Sequence, residues 1–559
     1  MALRQYIILC ICAVNAVVWG CPQQCKCQAS KLSCRGNGIK EFPSPIPLNT
    51  TDLLIFQTQI ISLKPVNFEA FSETLTTFAV LDTRIIEVQP HTFDKTYRLI
   101  TLMLSATELS SLPEGLFQKL QSLETLILSN NKLATLPSAL LAPLQALKSL
   151  DLRNNMLTSL PDEAFQGLTN LKELVLQENN IRKLHSGTFY GLQKLNLLSL
   201  KQNKLEVIPS NVFENLVNLE ILHLQDNVIT HLPAGLFTHQ QKLKKLYLSN
   251  NWLSVLPEGI CLNMPNLQQI SLYENKLQTL SSNTFGPMPL LKELWLYDNN
   301  LTRLDENVFS NLTHIKRLVI SRNQISYISP DAFNGLSELK EISLQTNHLR
   351  SLEEGVFRGL HNLVNISLRN NQIQHLPVKL FDGLSYIEQL ELENNSLLYL
   401  PEGLLDSLTN ATNVVLSENP WKCNHDIIPL RDWLLKNQDK VKDAPSLKCF
   451  SPSWLMNISI INLENGHFQI STGSTTSSAS VASNSSKIPS TPLPTSSTTV
   501  FAPNTTLPSD YTSDLSDYTQ WNIYMFIIAV VCAAIIVILT ILFFCWRGNK
   551  QRGSQNISS

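Results

Sequence analysis

An excess of charge of either sign is missing from this 559-residue chain: 43 Lys and Arg stand against 45 Asp and Glu, a formal net charge of -2. Proteins that hold nucleic acid or an anionic membrane by bulk electrostatics carry a basic excess, so a nucleic-acid partner is not expected. Catalytic signatures are missing as well. There is no H-E-x-x-H, no G-x-S-x-G, no phosphate loop and no dinucleotide fingerprint. Carboxylate pairs such as Glu391 and Glu393 occupy positions that carry ordinary polar residues elsewhere in the chain. Cys423 and His425 would give a zinc ion two ligands where a structural site takes four, and Cys449 is available as a partner for Cys423. The expectation is a protein that is not an enzyme and needs neither cofactor nor metal.

Long apolar runs are scarce and confined to the two ends. Residues 1–20 combine Arg4 with a short apolar core and close on Val18, Trp19 and Gly20, which reads as a secretory signal peptide. Near the other end Ile523 to Trp546 is uncharged over 24 residues, enough to cross a bilayer core of roughly 30 Å. A transmembrane helix is expected over 521–546. The tail 547–559 carries Arg547, Lys550 and Arg552 and no acid, which puts it in the cytosol and disfavours a glycolipid anchor. The expected topology is single-pass type I in the plasma membrane, with the N-terminal region outside.

Between these runs one pattern recurs, L-x-x-L-x-L-x-x-N-x-L. Its Asn stands at 131, 155, 179, 203, 227, 251, 275, 299, 323, 347, 371, 395 and 419, thirteen times at a spacing of 24 without an insertion. Thr58, Thr83 and Thr107 hold the same column in three earlier turns, so the first coils are expected to be less regular. A fixed period of this length marks a leucine-rich repeat solenoid. The fold class is α/β: a horseshoe of about fifteen repeats over 52–418, each adding one short strand to a parallel concave sheet, its leucines covered by the neighbouring coil. The Asn amide is expected to be buried at the bend after the strand, satisfying backbone groups of two coils.

A second column holds Phe at 68, 93, 117, 165, 189, 213, 237, 285, 309, 333, 357 and 381, and predicts a buried aromatic spine. Cys261 falls in that column and explains the odd number among the seven cysteines between the apolar ends. It reads as a small buried hydrophobe leaving a small void, not as a reactive thiol. The other six form an N-terminal cluster, Cys21, Cys25, Cys27 and Cys34, and a C-terminal pair, Cys423 and Cys449, that flanks an expected helix Leu430 to Leu435. They suit disulfide-bonded caps over 21–51 and 419–470, which a solenoid needs at its raw ends and an oxidising exterior allows.

From 471 to 520 half of the fifty residues are Ser or Thr and five are Pro, a composition that cannot build a core and suits a glycosylated stalk. N-glycosylation sequons stand at Asn49, Asn300, Asn311, Asn365, Asn394, Asn410, Asn457, Asn484 and Asn504. On the concave sheet the positions around each L-x-L are free of core duty. Tyr247, Tyr273, Trp295 and Tyr297 fall there on three consecutive coils, followed by Arg317 and Arg322. Strands about 4.8 Å apart would bring these residue types, the ones that dominate interface hot spots, into one contiguous ligand-binding patch. Glycans on Asn365 and Asn394 would narrow the available face to the middle coils.

The run Phe285-Gly-Pro-Met-Pro with Lys292-Glu-Leu-Trp-Leu-Tyr-Asp298, the run Asn307-Val-Phe-Ser-Asn-Leu312, and the cap from Asn419-Pro-Trp-Lys-Cys423 to Cys449-Phe-Ser-Pro452 resemble a family of leucine-rich repeat cell-surface proteins. It is the group of platelet glycoprotein V and the carboxypeptidase N regulatory subunit. His425 departs from its pattern, standing where a C-x-C would place another cysteine. The resemblance implies Cys21–Cys27 and Cys25–Cys34 disulfides. It further implies an adhesive or matrix-interacting glycoprotein with collagen, fibronectin or laminin as partners. The alternative it carries is a lateral subunit of a multi-chain membrane receptor; a carrier for a soluble enzyme is disfavoured by the apolar span.

Overall fold

The computed structural model describes residues 21–137 and 139–468. The expected signal peptide, stalk, membrane span and tail, with Asn484 and Asn504, lie outside the described residues. Within them no helix is long and apolar enough to cross a membrane.

Among the described residues eighteen strands form one sheet. It opens with an antiparallel hairpin, Cys25–Gln28 against Lys31–Arg35, and every later pairing is parallel, coil after coil in chain order. The register is one repeat per strand: Leu246 faces Leu222 on one side and Ile270 on the other. Strands of the Thr-column coils run for five residues, Asp52–Phe56, Thr77–Leu81 and Thr101–Ser105, against three in later coils such as Lys245–Tyr247.

The Asn column explains the regularity of those later coils. Asn155 Nδ2 donates to Leu128 O at 2.9 Å and Leu152 O at 3.0 Å, while its Oδ1 accepts from Leu133 N at 3.1 Å. One buried amide thus meets backbone groups of its own coil and the one before it, groups that would otherwise be stranded away from water. The residue just before each of these Asn sits in the left-handed region, as at Glu274 (φ 54°) and Asp298 (φ 53°). That kink turns the chain off the strand and aims the amide inward. Thr does less: Thr83 Oγ1 accepts from Thr58 N at 3.3 Å and donates to one carbonyl, Leu81 O.

On the other side of the core the phenylalanines stack. Phe165, Phe189, Phe213 and Phe237 follow one another with ring centroids 6.1, 6.3 and 6.3 Å apart, and Phe285 to Phe381 continue at 6.1 to 6.4 Å. Cys261 interrupts the stack. It is buried, carries no disulfide, and its burial pushes the thiol pKa up to about 12. Beside it the next coil lies close: a Cβ on Gly286 would meet Leu262 Cα at 2.7 Å. A thiol both buried and protonated is expected to resist alkylation in the folded chain at pH 8 and to react once the chain is unfolded, as thiol-specific labelling followed by mass spectrometry would read.

Both ends are covered. Cys21 is bonded to Cys27 and Cys25 to Cys34, and Phe42 packs on Phe68, centroids 5.4 Å apart, closing the core beneath the hairpin. At the other end Cys423 is bonded to Cys449. The helix Ile428–Lys436 lays Leu430, Trp433 and Leu434 against the last coil. Asp443 Oδ2 accepts from Leu416 N and Ser417 N at 2.9 and 2.7 Å, serving the edge of the final strand, Asn413–Val415, where no further coil follows.

Candidate functional site

In each L-x-L the two apolar residues point into the core and the residue between them faces the concave side. Leu246 and Leu248 are buried while Tyr247 is half-buried, and the same holds for Leu294, Trp295 and Leu296. The residue two places later, as at Tyr273 and Tyr297, also faces that side. Residues 24 apart therefore meet face to face across neighbouring strands.

Tyr273 and Tyr297 stack with centroids 4.5 Å apart and planes within 8°, and Trp295 lies 6.3 Å from Tyr273 at a 45° tilt. Arg322 closes the group, its guanidinium 5.1 Å from the Tyr297 ring and bidentate to Asp298 at 2.7 and 2.6 Å. That pairing raises the Arg322 pKa, and burial raises that of the Tyr297 phenol, so both keep their ordinary protonation at neutral pH. Tyr247 belongs to a second stack. Its partner is His223, 4.5 Å away with planes within 3°, and its hydroxyl donates to Gln269 Oε1 at 3.0 Å. Burial lowers the His223 pKa, so this ring is neutral.

Within the expected patch the side chains pair in two ways that the sequence did not show. The aromatics form two stacks, because Tyr247 and Tyr273 occupy different columns and do not share a register. Arg317 joins neither stack: in register with Glu293 at the start of its strand, its Nε donates to Glu341 at 2.8 Å. His223 went unnoticed in the sequence, although it stands one period before Tyr247 in the same column.

Charge is split across the strip. On the rim where the chain enters the strands lie Lys245, Lys292 and Lys316, which make no ion pair among the described residues, and Lys244, paired with Glu220 at 2.7 Å. On the opposite rim lie Asp226, Glu274 and Asp298. Burial, with the repulsion of Asp298 and Asp226 and against the attraction of Arg322, raises the Glu274 pKa, and among the described residues no side chain hydrogen-bonds to or ion-pairs with that carboxylate. Beside Trp295 a depression of about 360 Å³ is lined by Lys245, Gln269, Lys292 and Glu293; the Trp295 Nε1 is buried without an acceptor. Preformed rings with unmatched charges on both flanks can hold a protein segment by stacking in the middle and ion pairing at the edges.

Of the sequon residues, Asn49, Asn311, Asn410 and Asn457 are exposed and Asn300 is half-buried. Asn394 is exposed at the kink before Asn395, with Nδ2 donating to Asn370 Oδ1 at 3.0 Å. Asn365 lies on the concave sheet itself, in the strand Asn365–Ser367.

The family model described as leucine rich repeat matches residues 73–133 and, in overlapping runs, 145–420. Human leucine-rich repeat-containing protein 52 is 37% identical over 73 residues, 13% of this chain and 23% of that protein. Human leucine-rich repeat-containing protein 15 is 46% identical over 44 residues, 8% of each chain. These matches span less than a quarter of either relative's length. Among solved structures, a leucine-rich repeat protein of Leptospira interrogans is similar at 28% identity with a TM-score of 0.51, covering 68% of this chain and 94% of that one. TLR13 in its complex with ssRNA13 superposes with a TM-score of 0.60 at 23% identity, over 74% of this chain and 60% of that one, a likeness of fold.

Proposed function

Because the chain belongs to the leucine-rich repeat family, a scaffold whose stacked coils present an extended sheet, we propose that it binds a protein ligand on its concave face. In full, the reading is a type I cell-surface glycoprotein that engages the extracellular matrix, with collagen, fibronectin and laminin as the partners to try first, to support adhesion or migration. The observation that carries it is the Tyr273–Tyr297 stack with Trp295, packed together with no ligand present. Rings already ordered lose little entropy on binding, and Tyr, Trp and Arg are the residues in which binding energy concentrates. The unmatched lysines and Glu274 on the flanks supply polarity that an apolar surface alone would lack.

The lateral receptor-subunit reading draws on a different place. Phe450, Trp454 and Met456, close together in sequence on the C-terminal cap, are 60%, 61% and 49% exposed apolar side chains that a partner chain could cover.

The test is binding of the secreted region 21–520 to surfaces coated with each matrix protein, beside a Tyr273→Ala/Trp295→Ala/Tyr297→Ala variant that is still secreted and folded. Saturable binding is expected, with the variant losing about 2 kcal/mol or more, roughly thirtyfold in Kd. Binding untouched by the variant would move the site elsewhere. No binding to any coat, together with a stoichiometric membrane partner co-purifying in detergent, would favour the receptor subunit.

A further inference from the structure

Beyond the aromatic strip the concave sheet changes character. The strand Asn365–Ser367 is itself a sequon, Asn-Ile-Ser. Ile366 is buried in the core, which turns Asn365 and Ser367 to the concave side, in register with Glu341 and Ser343 on one strand and Gln389 and Glu391 on the other. The Asn365 Oδ1 is buried and accepts no hydrogen bond. Its Nδ2, the atom to which an oligosaccharide is joined, makes no hydrogen bond among the described residues, and Asn365 itself lines a depression on the concave side.

That depression measures about 340 Å³, and Glu341, Gln345, Arg369, Gln389 and Glu391 line it with Asn365. These side chains are already linked: Ser367 Oγ donates to Glu391 at 2.6 Å, Arg369 lies 3.7 Å from Glu391 and 3.6 Å from Glu393, and Gln345 Oε1 accepts from Arg369. The lining holds both donors and acceptors and no aromatic ring. An apolar or aromatic segment would cover the remaining hydrogen-bonding capacity of those groups without using it, whereas a sugar, which carries hydroxyls and an acetamide, can meet it.

We propose that Asn365 carries an N-linked oligosaccharide whose first sugar lies in this depression against Arg369 and Glu391. This sugar closes the C-terminal part of the concave face and confines a protein ligand to the aromatic strip. The proposal rests on the extracellular reading given above. Attachment to the chain before it folds raises no conflict with a strand position; folding of the strand then fixes the direction in which the sugar leaves.

Region 21–520, secreted from mammalian cells, is digested and its glycopeptides are assigned site by site. Asn365 is expected to be occupied and to keep less processed, mannose-rich chains than Asn49 and Asn410, whose side chains are exposed. Release by peptide-N-glycosidase from the folded protein should be several-fold slower at Asn365 than at Asn49, and Arg369→Ala/Glu391→Ala should abolish the difference. The processing state of the unmutated chain tests the idea even if that variant is not secreted. Asn365 empty while Asn49 and Asn410 are occupied overturns this proposal alone, as does an occupied Asn365 processed and released like Asn49. No occupied sequon anywhere overturns the extracellular reading and this proposal with it.

Discussion

Asn251→Ala is expected to destabilise the solenoid by about 3–6 kcal/mol, measured as a fall in the denaturant midpoint of region 21–520. The figure follows from what one amide does. Nδ2 donates to Leu224 O at 3.0 Å and Leu248 O at 3.1 Å, and Oδ1 accepts from Ile229 N at 3.0 Å. Alanine strands all three groups in a place closed to water, at about 1–3 kcal/mol each before relaxation. Asn251→Thr should cost roughly half as much, since one hydroxyl can serve one carbonyl, as Thr83 does for Leu81. A loss below about 1 kcal/mol for the alanine variant would mean that the column is not what ties coil to coil.

Phe309→Ala comes next, at about 3–5 kcal/mol for a large ring removed from a closed core. Phe309 is fully buried between Phe285 and Phe333, 6.1 and 6.2 Å away. Each coil contacts only its neighbours, so the damage should be local and calorimetry should show the single transition broadening or splitting into two blocks. Phe237→Ala gives the comparison. Its ring stacks on Phe213 alone, because Cys261 holds the next place, and a smaller loss is expected. Equal losses at the two positions would show that ring stacking along the spine adds nothing beyond burial.

Much of this was legible in the sequence because the fold is periodic. A fixed spacing of 24 dictates which residues share a column, and column identity dictates burial for Asn251, Phe309 and Cys261 alike. Position along the concave face was legible for the same reason: Tyr247, Tyr273, Trp295 and Tyr297 do face that way. Pairing was harder. It depends on which of two outward columns a residue occupies, so Tyr247 stacks on His223 and not on Tyr273. The arginines were harder still, since long side chains choose the nearest carboxylate: Arg322 takes Asp298 one coil back and Arg317 takes Glu341 one coil on. Neither choice leaves a periodic trace. The polar depression beside Asn365 depends on Arg369, Glu391 and Gln389 acting together, and no single column announces it.

The bond between Cys423 and Cys449 has a mechanical meaning as well. Tension applied from the C-terminal side passes from Cys449 directly to Cys423, so the stretch between them, which holds the helix Ile428–Lys436, is bypassed and carries no load. The pull arrives instead at Asn419, whose amide is fastened to Leu392 O in the coil behind at 3.0 Å. Under traction the segment after Cys449, where Ile460 and Leu463 are buried and Leu463 O accepts from Arg431, gives way first; beyond it the force runs through sulfur to the repeats and leaves the helix out of its path.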